Sequence, residues 1–204
     1  MRILHIDCGL SPTESVSRML TREVVQHLAG KRRSLEIIYR DLIKDPLPYA
    51  TFQTLPGFHP SAASEETLAE CERTARLSLE QALNEFLTSE VIVLGVPMYN
   101  FGIPAQLKSW FDAIVIPGKT YAYTPDGPRG LAGAKRVIVA ASRGGVFGEA
   151  GFPIQMEHAE AYVRCVLSLI GITGPEVVLA EGVARDRAGA IERAREKVLM
   201  LSPL

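Results

Sequence analysis

The chain has 204 residues, 47% hydrophobic and 22% charged, a balance that fills one globular core and excludes a disordered or fibrous chain. With 22 Lys and Arg against 23 Asp and Glu the net charge is -1, so neither a nucleic-acid footprint nor a polybasic membrane contact is expected, and the partner expected is a small molecule. MRILHID lacks the features of a signal peptide, runs such as VIVLGV are too short to span a bilayer, and Cys8, Cys71 and Cys165 form neither a disulfide framework nor a metal motif, which together predict a soluble, cytoplasmic protein.

In chain order, RILHI (2–6) is the first strand candidate, and the loop DCGLSPTESVS (7–17) leads from it into a helix that puts Leu20, Val24, Val25 and Leu28 on one face. LEIIY (35–39) is the second strand, a helix lies near 65–88, and VIVLGV (91–96) is the third strand. The loop PMYNFGIP (97–104) precedes a helix with Leu107, Trp110, Phe111, Ile114 and Val115 at helical spacing; Pro104 suits its first turn and Pro117-Gly118 stops it. Tyr121 and Tyr123 alternate before Pro125-Asp126-Gly127, predicting a hairpin or flap. Its aromatics would cover a flat substrate, pack on a neighbouring subunit, or line a hairpin face. RVIVAA (136–141), the loop SRGGVFGE (142–149), a helix near 155–170, the strand EVVLA (176–180) and a helix near 186–200 complete the chain.

This alternation predicts a three-layer α/β fold in one domain, 1–204, with a five-stranded parallel sheet covered on both faces. The expected strand order is 2-1-3-4-5, with a ligand crevice at the carboxyl ends of strands 1, 3 and 4. The loops leaving those strands carry the chemistry, and those after strands 2 and 5 are plainer.

A phosphate needs convergent N–H and O–H donors, which Ser15, Val16 and Ser17 at the head of a helix supply, with Ser11 and Thr13 as further hydroxyls. The bland alternative is that Ser15 or Ser17 only caps the helix. Cys8 in the same loop raises the question of a nucleophilic thiolate, as in the C-x5-R phosphatases, but Glu14 stands where the arginine is required and would raise the thiol pKa. The loop is therefore expected to hold a phosphate, not attack one. Pro97, Met98, Tyr99, Asn100 and Phe101 put large apolar groups at a strand end, suited to a planar partner, with Asn100 and Gly102 accepting positive φ in a tight turn. Ser142, Arg143, Gly144 and Gly145 allow close backbone approach. Together these describe a mononucleotide with a flat ring; FMN fits better than a dinucleotide, since neither G-x-G-x-x-G nor a Walker loop is present.

These residues resemble the FMN-dependent NADH-azoreductases, or azobenzene reductases, among the flavodoxin-like quinone reductases: P-M-Y-N-F at 97–101 followed by I-P-A-Q-L-K-S-W-F-D, S-R-G-G at 142–145, S-V-S at 15–17, and the late G-I-T (171–173) and A-E-G (180–182). The resemblance implies that Ser15, Val16 and Ser17 bind the FMN phosphate, that Met98, Tyr99, Asn100 and Phe101 meet the ribityl chain and ring, and that Ser142 to Gly145 lie along the ring. It implies a homodimer with flavin sites near the interface, NADH or NADPH as donor, and ping-pong two-electron reduction of quinones and azo compounds. Gly9 stands where such proteins often carry a phosphate-contacting serine, and either Ser11 or the Gly9 N–H is expected to compensate. No catalytic side chain and no metal are expected, since the chemistry belongs to the flavin. The alternative is an FMN-binding electron carrier or regulator without turnover of its own.

Overall fold

The computed structural model describes residues 1–30, 34–148 and 151–204. Glu149, at the end of the third loop, lies outside them.

Seven strands and five α-helices are described: β1 (Arg2–Asp7), α1 (Val16–Ala29), β2 (Glu36–Asp41), α2 (Glu70–Thr88), β3 (Val91–Pro97), α3 (Ala105–Ile114), β4 (Tyr121–Thr124), β5 (Gly127–Gly130), β6 (Arg136–Arg143), α4 (Ala159–Leu169), β7 (Glu176–Glu181) and α5 (Arg187–Leu199). The helix expected over 65–88 begins as a single 3-10 turn, Glu65–Thr67, because Leu68 and Ala69 are extended; Glu72 then accepts the Ala69 N–H and starts α2.

Five strands form a parallel sheet in the order β2-β1-β3-β6-β7. The expected order 2-1-3-4-5 does not describe it in chain numbering, because β4 and β5 make a separate antiparallel ribbon inserted between α3 and β6. Buried apolar side chains cover both faces of the sheet. Leu4, Ile6, Leu94 and Val139 pack under α2, α3 and α4, with Phe86, Trp110 and Phe111 filling the widest gap; Ile3, Val91, Val93 and Ile138 pack under α1 and α5. Every residue of β3, the central strand, is buried, as expected of a strand flanked by helices on both sides.

The register places the functional loops. Pro97 pairs with Ser142, and the Met98 amide donates to the Ser142 carbonyl at 2.8 Å, so the second and third loops leave the sheet side by side. Arg143 pairs with Glu181, which brings the segment after β7 alongside the third loop.

Candidate functional site

Ser15 is the N-cap of α1: its backbone is extended and its hydroxyl accepts the Arg18 amide at 3.4 Å. The amides of Val16 and Ser17 have no protein acceptor among the described residues, and the Ser15 and Ser17 hydroxyl oxygens stand 3.1 Å apart. This is a donor cluster at the positive end of a 14-residue helix. Gly9 backs it: a Cβ there would overlap the Ser15 hydroxyl and stand 2.8 Å from Ser15 Cβ. The Ser11 Oγ accepts the Glu14 amide at 3.0 Å, so this hydroxyl organises the loop.

Beneath the loop lies a buried polar network. Arg18 donates to the Gly9 carbonyl at 2.7 Å and grips Asp41 with two bonds of 2.8 and 2.6 Å. Asp7, at the end of β1, accepts from Thr21 at 2.8 Å and from Tyr39 at 3.0 Å. The Arg18 hydrogen bonds hold the Asp41 carboxyl below its usual range, while burial and the neighbouring Asp7 push the Tyr39 phenol up to about 12. Cys8 is fully buried and donates to the Gly95 carbonyl at 3.0 Å; burial, reinforced by Asp7, pushes its thiol far up. A nucleophile needs the opposite shift.

In the second loop Tyr99 and Gly102 exchange backbone hydrogen bonds of 3.0 Å around a two-residue turn, with Asn100 at φ 49° and Phe101 at φ 68°. The expectation that Gly102 would take a positive φ is corrected: Phe101 does. A left-handed backbone costs a non-glycine residue roughly 1–2 kcal/mol. Here it is held by the Phe101 carbonyl, which accepts the His158 amide at 3.0 Å, and by edge-on contacts of its ring with Phe147 and Phe152, at 6.3 and 5.9 Å between centroids. The Tyr99 hydroxyl accepts the Leu10 amide at 3.0 Å and joins the first loop to the second.

In the third loop the side chain of Arg143 is only 9% exposed. It pairs with Glu181 at 2.8 Å and Glu157 at 3.5 Å, and its guanidinium covers the Phe147 ring at 5.0 Å. The carbonyls of Arg143, Gly144 and Gly145 accept the amides of Val183, Ala184 and Gly182, while the amides of Gly144 and Gly145 have no protein acceptor among the described residues. A Cβ on Gly145 would come within 2.8 Å of the Phe152 ring.

A cleft of about 260 Å³ joins Ser15 and Val16 to Pro97, Met98 and Tyr99, and to Ser142, Arg143 and Gly144. A neighbouring apolar cavity of about 420 Å³ continues past Gly144 and Gly145 to Phe152 and Arg185. Gly9, Ser11 and Ser17 are not among the residues that line this cleft, nor are Asn100 and Phe101, which form the turn that follows Tyr99. Tyr121 and Tyr123 are not among the residues that line the cleft. Their ribbon sits at the far ends of α3 and α4: the Thr120 hydroxyl donates to the Ile114 carbonyl, and a Cβ on Gly130 would overlap Gly171. The segment after β7, read as plain, supplies Val183, Ala184 and Arg187 to the cleft, and Glu14 joins them. A-E-G at 180–182 was the one sequence signal near that segment; nothing local marks Arg187.

A family model for the flavodoxin-like fold matches residues 1–201. An FMN-dependent NADH:quinone oxidoreductase of Gluconacetobacter diazotrophicus is 43% identical over 205 residues, covering 98% of this chain and 99% of the relative. The chain belongs to this flavodoxin-like family. A second member, FMN-dependent NADH:quinone oxidoreductase 2 of Bradyrhizobium diazoefficiens, is 47% identical over 202 residues, covering 95% of this chain and 97% of its own length. Among solved structures, the azoreductase from Bacillus anthracis superimposes with a TM-score of 0.82 at 29% identity, covering 97% of this chain and 94% of that one. The chain carries its donor cluster on α1 and its aromatic turn after β3 at the crevice between β1 and β3, where the order of strand addition in the sheet reverses.

Proposed function

We propose that this chain is an FMN-dependent NADH:quinone oxidoreductase that reduces quinones and azo compounds by ping-pong two-electron transfer. The observation that carries this reading is the convergence, in one cleft, of Ser15 and Val16 at the head of α1 with the Met98–Tyr99 shelf and the glycine loop after β6. The residues fit FMN. The free amides of Val16 and Ser17 and the hydroxyls of Ser15 and Ser17 suit a phosphate, Met98, Tyr99 and Asn100 suit the ribityl chain and ring, and the free Gly144 and Gly145 amides suit the polar edge of a heterocycle.

When bound, FMN would supply the two-electron redox chemistry between NADH and the acceptor. The protein's part is binding and orientation. Phe152 lines the apolar cavity beside the cleft and Phe101 packs edge-on against it, an apolar wall for a flat substrate, and the glycines let backbone donors approach without a Cβ in the way.

The finer reading is of one flavodoxin-like domain, 1–204, working in the cytoplasm as a homodimer. Tyr121 and Tyr123 stand outside the lining of their own cleft and Tyr123 is exposed, which supports the dimer by leaving aromatic surface for a neighbouring subunit. Among the described residues no helix is long and apolar enough to cross a membrane.

The test is an absorption spectrum of protein reconstituted with FMN, desalted, and treated anaerobically with NADH. Retained flavin bands that bleach and return on adding a quinone are expected. Retained flavin without steady-state NADH oxidation would favour the electron-carrier reading instead.

A further inference from the structure

We infer that Arg187 is a phosphate-binding residue that makes the site select a phosphorylated flavin over its dephosphorylated form, an inference that rests on the reading of the cleft as a flavin site. The donor cluster on α1 is built from neutral groups, and among the described residues lining the cleft there are two cations, Arg143 and Arg187. Arg143 is already matched by Glu181 and Glu157, at 2.8 and 3.5 Å, and is nearly buried. Arg18, outside the lining of the cleft, is matched by Asp41 at 2.6 Å.

Arg187 is matched by much less. Its closest partner is a neutral acceptor, the Glu14 carbonyl, at 2.8 Å, and the Glu14 carboxylate stands 3.7 Å away on a side chain that is 79% exposed. The neighbouring acid, Asp186, is committed elsewhere: it caps α5 by accepting the Gly189 amide at 2.9 Å and lies 3.6 Å from Arg193. Arg187 is therefore a guanidinium with spare donors, anchored to the loop that carries Ser15 and 47% exposed, so an arriving phosphate meets a cation already in place at modest desolvation cost. Glu14 has a matching role. Its carboxylate opposes the phosphate and competes for Arg187, which places the two groups in a switch between carboxylate and phosphate pairing.

The experiment is a titration of the apo-protein with FMN and, separately, with riboflavin, followed by flavin fluorescence, for wild type, Arg187→Met, Arg187→Lys and Glu14→Gln. One charge-assisted contact corresponds to a loss of roughly tenfold in affinity. Arg187→Met should lose about that for FMN while leaving riboflavin binding within about twofold, Arg187→Lys should recover part of the loss, and Glu14→Gln should tighten FMN alone. The salt dependence of FMN binding should be shallower in Arg187→Met than in wild type. Unchanged FMN affinity in Arg187→Met, or an equal loss for both flavins, overturns the inference while leaving the flavoprotein reading intact. Wild-type protein that binds neither flavin overturns that reading, and this inference with it.

Discussion

Arg18 donates its Nε–H to the carbonyl oxygen of Gly9 at 2.7 Å, tying the first turn of α1 to the residue at which the loop leaves β1. The same guanidinium holds Asp41 at the end of β2, so one side chain sets the curve of the donor loop against two strands.

Arg18→Met should therefore cost both stability and cofactor affinity. Removing one member of a buried pair typically costs about 3–5 kcal/mol, which for a chain of this size lowers Tm by roughly 10 °C. Asp41 gives the pair a pH signature. Its folded carboxyl lies below the ordinary value of 3.8, so its contribution is present above that value and is lost as pH falls through the folded one. The urea midpoint of wild type should drop more steeply as pH falls below about 4 than that of Asp41→Asn. Parallel profiles would refute the role given to Asp41.

Gly9→Ser should weaken FMN binding, although it supplies the hydroxyl that the family resemblance leads one to expect there. The new Cβ would crowd Ser15, whose own hydroxyl faces Ser17 at 3.1 Å, so one donor is added by displacing another. A loss of about 1 kcal/mol or more in FMN binding, measured by titration, is expected for a misplaced charge-assisted contact. Tighter binding would show that the loop opens to accept serine.

Cys8 should be chemically silent. Its thiol is buried, donates to Gly95 and has its pKa pushed far up, whereas Cys71 and Cys165 are exposed. Iodoacetamide on the native protein should label Cys71 and Cys165, and reach Cys8 only after unfolding, as read by peptide mass spectrometry. Native labelling of Cys8 at a comparable rate, or turnover of a phosphate ester, would reopen the nucleophile.

Phe101→Gly should separate stability from function. Glycine relieves a left-handed backbone worth roughly 1–2 kcal/mol, while the lost edge-on contacts with Phe147 and Phe152 cost a similar amount. Tm should stay within about 5 °C of wild type, yet KM for a quinone or azo dye should rise several-fold because the apolar face beside the cleft is gone. A large fall in Tm would mean that Phe101 is there for packing alone.

By itself the sequence determined the element order, the parallel character of the sheet and three of the segments that line the cleft, because each is a local signal. Ile3, Leu4 and Ile6 mark a strand by their branched side chains, Leu107, Trp110, Phe111 and Ile114 mark a helix by spacing, and Ser15 to Ser17 mark a helix start by their hydroxyls. It also suggested a flat mononucleotide, since Ser15 to Ser17, Pro97 to Phe101 and Ser142 to Gly145 form three short runs of suitable chemistry. Only the tertiary structure decided what those loops do to one another. The pairing of Pro97 with Ser142 and of Arg143 with Glu181 joins residues about 40 positions apart, spends Arg143 on carboxylates and brings Arg187 into the cleft. The Cβ that Gly9 excludes, the positive φ of Phe101 and the removal of Tyr121 and Tyr123 to the far ends of α3 and α4 have the same cause. Each is fixed by packing between segments distant in the chain, to which no local pattern of residues responds.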